Sequence, residues 1–180
     1  YISRILESYQ NISLLYSVKA NYNNNILNIL SKYVYGFDIA SYREFEKVKK
    51  YKSKAIFASG YAFSEKEMKY MLEKKIKFDF VSIKQMEIAL QNYSFEREDF
   101  GVRISLPQTD LENNRIKKSR FGIDLKMESD LLKKIIQEKK ITIRRIHLHN
   151  GEKNLNTIKL FGDEIEKWIS IFKNIEYVNL

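Results

Sequence analysis

Four ionisable side chains stand apart by type and placement: Lys19, Asp38, Arg103 and His149. Each falls near the C-terminal end of a short run that reads as a β-strand, on the face opposite that strand's apolar bulk. Two cations, a carboxylate and an imidazole are groups with which an active site binds and activates a small substrate. A charge turned into a packed interior costs several kcal/mol unless a partner or a ligand meets it. Each residue alone has an ordinary role: a solvated strand-end lysine, a turn cap at Asp38, a structural pair of Arg103 with Asp38, a satisfied structural histidine. Their shared parity is what joins them.

The elements that must hold these residues follow from periodicity. Strands are expected at 12–18, 36–40, 55–59, 78–82, 100–106, 141–149 and 175–180, and helices at 24–33, 42–51, 65–74, 83–92, 127–138 and 154–173. Ile26, Leu27, Ile29 and Leu30 form the apolar side of the first helix. Ser41 caps the second, and Ser64 with Glu67 makes a capping box for the third. Residues 107–122, with the only Pro and a polar tract, read as one long irregular connection. Strict strand–helix alternation implies parallel strands with right-handed crossovers, so the class is α/β. No Gly-x-Gly-x-x-Gly or Walker-type loop follows the first strand, which weighs against a nucleotide-binding doubly wound sheet. A TIM-type (β/α)₈ barrel, here with about seven strands, is the favoured architecture.

Side chains alternate faces along a strand, so parity assigns neighbours. Ser13, Leu15, Ser17 and Lys19 oppose Ile12, Leu14, Tyr16 and Val18. Gly36, Asp38 and Ala40 oppose Phe37 and Ile39. Gly101, Arg103 and Ser105 oppose Val102 and Ile104. Arg145, His147 and His149 oppose Ile146 and Leu148. In a barrel of this kind the C-terminal strand ends build the active site.

Composition narrows the function classes. The absence of cysteine removes a disulfide framework, thiolate metal sites and a cysteine nucleophile, and two histidines argue against a His-based metal cage. The net charge of +9 invites a polyanion partner, but 24 Lys against 8 Arg, scattered along amphipathic segments, read as solvated helix faces. Neither nucleic acid nor membrane is an expected partner, since no leader or bilayer-length apolar run is visible. The chain begins on Tyr1, and its 180 residues are short for a complete barrel, so it reads as a piece of a longer protein.

Tyr16-Ser17-Val18-Lys19-Ala20-Asn21 resembles the Tyr-Ala-Val-Lys-Ala-Asn stretch of fold-type III pyridoxal phosphate (PLP) enzymes, in the branch of diaminopimelate, ornithine and arginine decarboxylases. The next residues, Tyr22 to Leu30, continue that likeness, and the Ala-Tyr-Gly-His run of alanine racemases is absent. Asp38-Ile-Ala-Ser41-Tyr-Arg-Glu44 is similar to the family's Asp-x-x-Ser-x-x-Glu motif. Val102-Arg103-Ile104, Ser119-Arg120-Phe121-Gly122-Ile123 and His147-Leu148-His149 follow in the family's order.

The resemblance implies a PLP-binding barrel domain over 1–180, incomplete at its C-terminal end and lacking the family's C-terminal β domain. It implies PLP-dependent decarboxylation of a basic or diamino acid (diaminopimelate, lysine, ornithine or arginine) through a Schiff base on Lys19. His149 would stack on the cofactor ring, with Asp38, Glu44 and Arg103 as the polar surround and no metal. Arg120 would sit at a basic position that in some relatives pairs with an acidic residue of the second subunit; a homodimer of the full-length protein and a cytoplasmic setting are expected. Two positions depart from the family pattern: Glu152 replaces a phosphate-binding Ser, and Val81 a strand Asp. They keep open an alternative, a catalytically inactive homologue serving as a regulatory or partner subunit.

Overall fold

Parallel strands covered on both faces need apolar runs with few interruptions, and Ala55-Ile56-Phe57-Ala58 and Phe78-Asp79-Phe80-Val81 are such runs. The computed structural model describes residues 8–91, 99–105, 107–110, 115–118, 121–149 and 155–180, and the chain divides into two compact units, Tyr1–Phe78 and Asp79–Leu180.

In the first unit β1 (Leu15–Ser17) leads through a 3₁₀ turn (Val18–Ala20) into α1 (Asn24–Leu30). Then come β2 (Gly36–Ile39), α2 (Tyr42–Val48), β3 (Ala55–Ala58), α3 (Glu65–Glu73) and the first half of β4 (Lys77–Phe80). The strands are parallel, in the order β1-β2-β3-β4. Phe37, fully buried, lies between Tyr16 and Tyr51 at ring distances of 6.5 and 6.0 Å. Val18, Leu27, Ile39 and Met71 are among the other buried residues of this unit.

Both expected caps form. Ser41 Oγ accepts from the Glu44 amide, and Ser64 and Glu67 make the reciprocal capping box. Ser64→Ala should cost about 1 kcal/mol, the usual worth of such a cap. A lowered urea midpoint at unchanged slope is the expected readout.

The second unit holds the rest of β4, then α4 (Ile83–Gln91), β5 (Phe100–Arg103), β6 (Pro107–Asp110), β7 (Arg115–Lys118), α5 (Leu125–Lys139), β8 (Ile143–His147), α6 (Leu155–Ile171) and β9 (Tyr177–Asn179). Here the parallel order is β4-β5-β8-β9. Trp168 is fully buried and stacks on Phe172 at 5.3 Å. Among the described residues no helix is long and apolar enough to cross a membrane.

Three features differ from what periodicity predicts. The first strand ends at Ser17, so Lys19 stands on a 3₁₀ turn beyond the ladder rather than on a strand face. The turn buries Val18 and exposes Lys19, and the Tyr16 hydroxyl ties it down by donating to the Asn21 carbonyl at 3.1 Å. Of the four apolar residues of α1 only Leu27 is buried, while Ile29 is 57% exposed. The stretch expected to be irregular contains an antiparallel hairpin, β6–β7. Pro-Gln-Thr-Asp and Arg-Ile-Lys-Lys, with a single isoleucine between them, have no apolar alternation by which to find the ribbon.

Candidate functional site

The C-terminal end of β1 positions the first group. Lys19 is exposed on its turn, two residues after Ser17. Ser17 Oγ is buried and has no hydrogen-bond partner among the described residues. Ser17 and Asp38 are register partners across β1 and β2, so both side chains face the same way. Glu44 lies one turn into α2. Its carboxylate accepts from the Ala40 amide at 2.9 Å and from the Ser41 hydroxyl at 3.2 Å. That carboxylate therefore fixes the link from β2 to α2, immediately after Asp38.

The second unit carries Arg103 and His149 at the ends of β5 and β8. Arg103 Nη2 donates to the His149 carbonyl at 3.0 Å, and its guanidinium lies 5.5 Å from the Phe121 ring centroid. His149 is exposed, and its ring meets that of His147 edge to face at 6.2 Å. Gly122, at φ +96°, carries the chain back so that Ile123 pairs with Arg103 and Ser105; only glycine adopts that backbone readily.

Beneath these two residues lies a buried polar cluster. Asp79 on β4 is 0% exposed and Arg145 on β8 is 1% exposed. Arg145 Nε donates to Asp79 Oδ1 at 2.9 Å, and its Nη1 meets the Asp99 carboxylate. His147 Nδ1 lies 3.8 Å from Asp79 Oδ2. Between β4 and β8 runs β5, and there Gly101 makes the crossing possible: a Cβ on Gly101 would stand 1.9 Å from Asp79 Oδ1. A register shift between Phe100 and Gly101 leaves Arg144 as an extra residue on β8 and sets Arg145 opposite Gly101 and His147 opposite Arg103.

Parity places Arg145 and His147 on the face of His149, but it does not reveal the Asp79–Arg145 pair. The signal available was the isolated Asp79 between Phe78 and Phe80, a carboxylate in an apolar run that needs a buried partner. Arg120 and Glu152 lie outside the described residues.

Residues 2–179 match the family model described as pyridoxal-dependent decarboxylase, pyridoxal binding domain. The chain is 28% identical over 176 residues to a diaminopimelate decarboxylase of Vibrio cholerae, covering 91% of this chain and 41% of that protein. It is 25% identical over 174 residues to the 2-[(L-alanin-3-ylcarbamoyl)methyl]-2-hydroxybutanedioate decarboxylase of Staphylococcus aureus, covering 88% and 43%. The chain thus spans about two fifths of the length of these curated relatives. Among solved structures it is similar to diaminopimelate decarboxylase of M. jannaschii in complex with L-lysine, with a TM-score of 0.76, 23% identity and coverage of 98% and 45%. It is also similar to carboxynorspermidine decarboxylase of Campylobacter jejuni complexed with norspermidine, with a TM-score of 0.69, 20% identity and coverage of 99% and 45%. These likenesses show the α/β fold of the PLP-barrel type.

Proposed function

Because the chain belongs to the pyridoxal-dependent decarboxylases through their pyridoxal-binding domain, we propose that the protein carrying it decarboxylates a basic or diamino acid with pyridoxal 5′-phosphate. The bound cofactor supplies an electron sink for the pair left when carbon dioxide departs. What the chain's own residues contribute follows from their types and places. Lys19 offers an amine to an aldehyde and would hold the cofactor covalently. His149 offers a flat ring for stacking. Asp38 and Arg103 offer opposite charges at strand ends, and Glu44 steadies the turn after Asp38.

The observation that carries this reading is the end of β1: within the family-matched residues, an exposed amine follows a buried hydroxyl that has no protein partner among the described residues. A buried hydroxyl without a partner costs about 1–3 kcal/mol, a penalty that a polar ligand relieves. The donor set therefore fits the cofactor. The relatives' printed names, diaminopimelate and carboxynorspermidine decarboxylases, support the substrate class. The likeness of Arg120 to a subunit-pairing position supports a homodimer, and the metabolic character of such substrates a cytoplasmic setting.

The test is carbon dioxide release by the intact protein with PLP from meso-diaminopimelate, lysine, ornithine and arginine. Turnover of one of them is expected. A second reading, an inactive homologue that serves as a partner subunit, is favoured by Glu152, whose carboxylate would oppose a phosphate dianion. Binding of PLP without turnover of any of the four contradicts the decarboxylase and supports that second reading.

A further inference from the structure

The proposed function uses Lys19 and His149 but leaves unexplained why a carboxylate is buried in the middle of β4. Burying a charged pair is a poor way to gain stability, since apolar residues of similar volume generally do as well. The pair also imposes a constraint, for β5 must keep Gly101 bare so that Arg145 can reach Asp79. One oxygen of Asp79 serves Arg145, and the other faces His147 Nδ1 at 3.8 Å. The His147 ring in turn meets the His149 ring edge to face, and Arg103 holds the His149 carbonyl. A continuous chain of contacts thus runs from the buried carboxylate to the exposed imidazole.

We propose that Asp79 is a positioning residue: held by Arg145, it fixes His147 with its proton on Nδ1, and His147 fixes the ring plane of His149. The chemistry is electrostatic: at 3.8 Å, beyond hydrogen-bond length, a buried carboxylate still favours a proton over a lone pair on the nearer ring nitrogen. The inference rests on the reading of His149 as a cofactor-facing ring.

Asp79→Asn tests it with little change of shape. The amide oxygen must accept from Arg145 Nε, so its NH₂ turns to His147 Nδ1, which has to become an acceptor. The His147 proton then moves to Nε2. In the intact, cofactor-free protein with ¹⁵N-labelled histidine, D79N should exchange the two nitrogen signals of His147 and shift those of His149. Asp99→Asn also weakens the hold on Arg145 but leaves Asp79 in place, so it should lower stability without moving either imidazole. In the PLP-loaded protein D79N should lower kcat by about 10- to 100-fold, the scale of a small misplacement of a reacting group, with KM nearly unchanged.

A D79N protein that is less stable but has both imidazole spectra unchanged overturns the proposal. So does an exchanged His147 beside an unmoved His149. Should D79N not fold, the wild-type ¹⁵N spectrum decides the matter: a His147 proton on Nδ1 supports the proposal and one on Nε2 overturns it. The imidazole readout needs no cofactor. Failure of wild type to bind PLP would sink the functional reading while leaving the relay measurable.

Discussion

Lys19→Ala protein is expected to fold normally, to lose the visible absorption of bound cofactor and to lose activity by about 10⁴-fold or more, the scale set by deleting a covalent nucleophile. The two halves of that expectation have separate physical grounds. Lys19 is exposed on the 3₁₀ turn, so truncating it removes no core contact, and surface changes of this kind stay within about 0.5 kcal/mol. Val18 and the Tyr16–Asn21 hydrogen bond hold the turn without it. The amine itself has no substitute at that point of the chain, because the flanking Val18 and Ala20 carry no nucleophile. Lys19→Arg keeps the charge yet should not rescue, since a guanidinium stays protonated at any working pH. Absorption spectra, carbon dioxide release and thermal melts on the same three proteins check each part.

The second large effect lies in stability. Arg145→Leu leaves the fully buried Asp79 without its main cation and should cost about 3–5 kcal/mol. The companion Asp99 is more forgiving, because its side chain is 28% exposed and water can take over. Replacing Asp79 and Arg145 together by Leu removes both charges and should recover most of the loss, as buried pairs exchanged for apolar residues often do. Urea unfolding of the single and double variants reads the difference. A double variant no more stable than Arg145→Leu would mean that the shape of the pair, not its charge balance, is what the fold needs.

Much of the fold is legible in periodicity. The helix caps at Ser41 and Ser64 are local chemistry, written within four residues, and the parallel strands follow from alternation with helices. Lys19 stands at the expected end of the expected strand, although strand parity is the wrong reason, since the ladder stops at Ser17. What periodicity does not carry is non-local. The Asp79–Arg145 pair joins residues 66 positions apart, and nothing in either neighbourhood names the other. The β8 register shift that brings Arg145 opposite Gly101 is a property of two strands together, invisible in either alone. The hairpin β6–β7 lacks apolar alternation for a similar reason, since a ribbon of two strands is patterned by its own hydrogen bonds rather than by a core.

The most direct measurement is borohydride reduction of the PLP-loaded intact protein followed by peptide mass mapping. Reduction makes the cofactor's attachment permanent, so its mass marks the residue that held it. The expected result is a single pyridoxyl group on Lys19, out of 24 lysines in this chain. A label on any other lysine, or on none, would contradict the assignment of Lys19 and with it the proposed site.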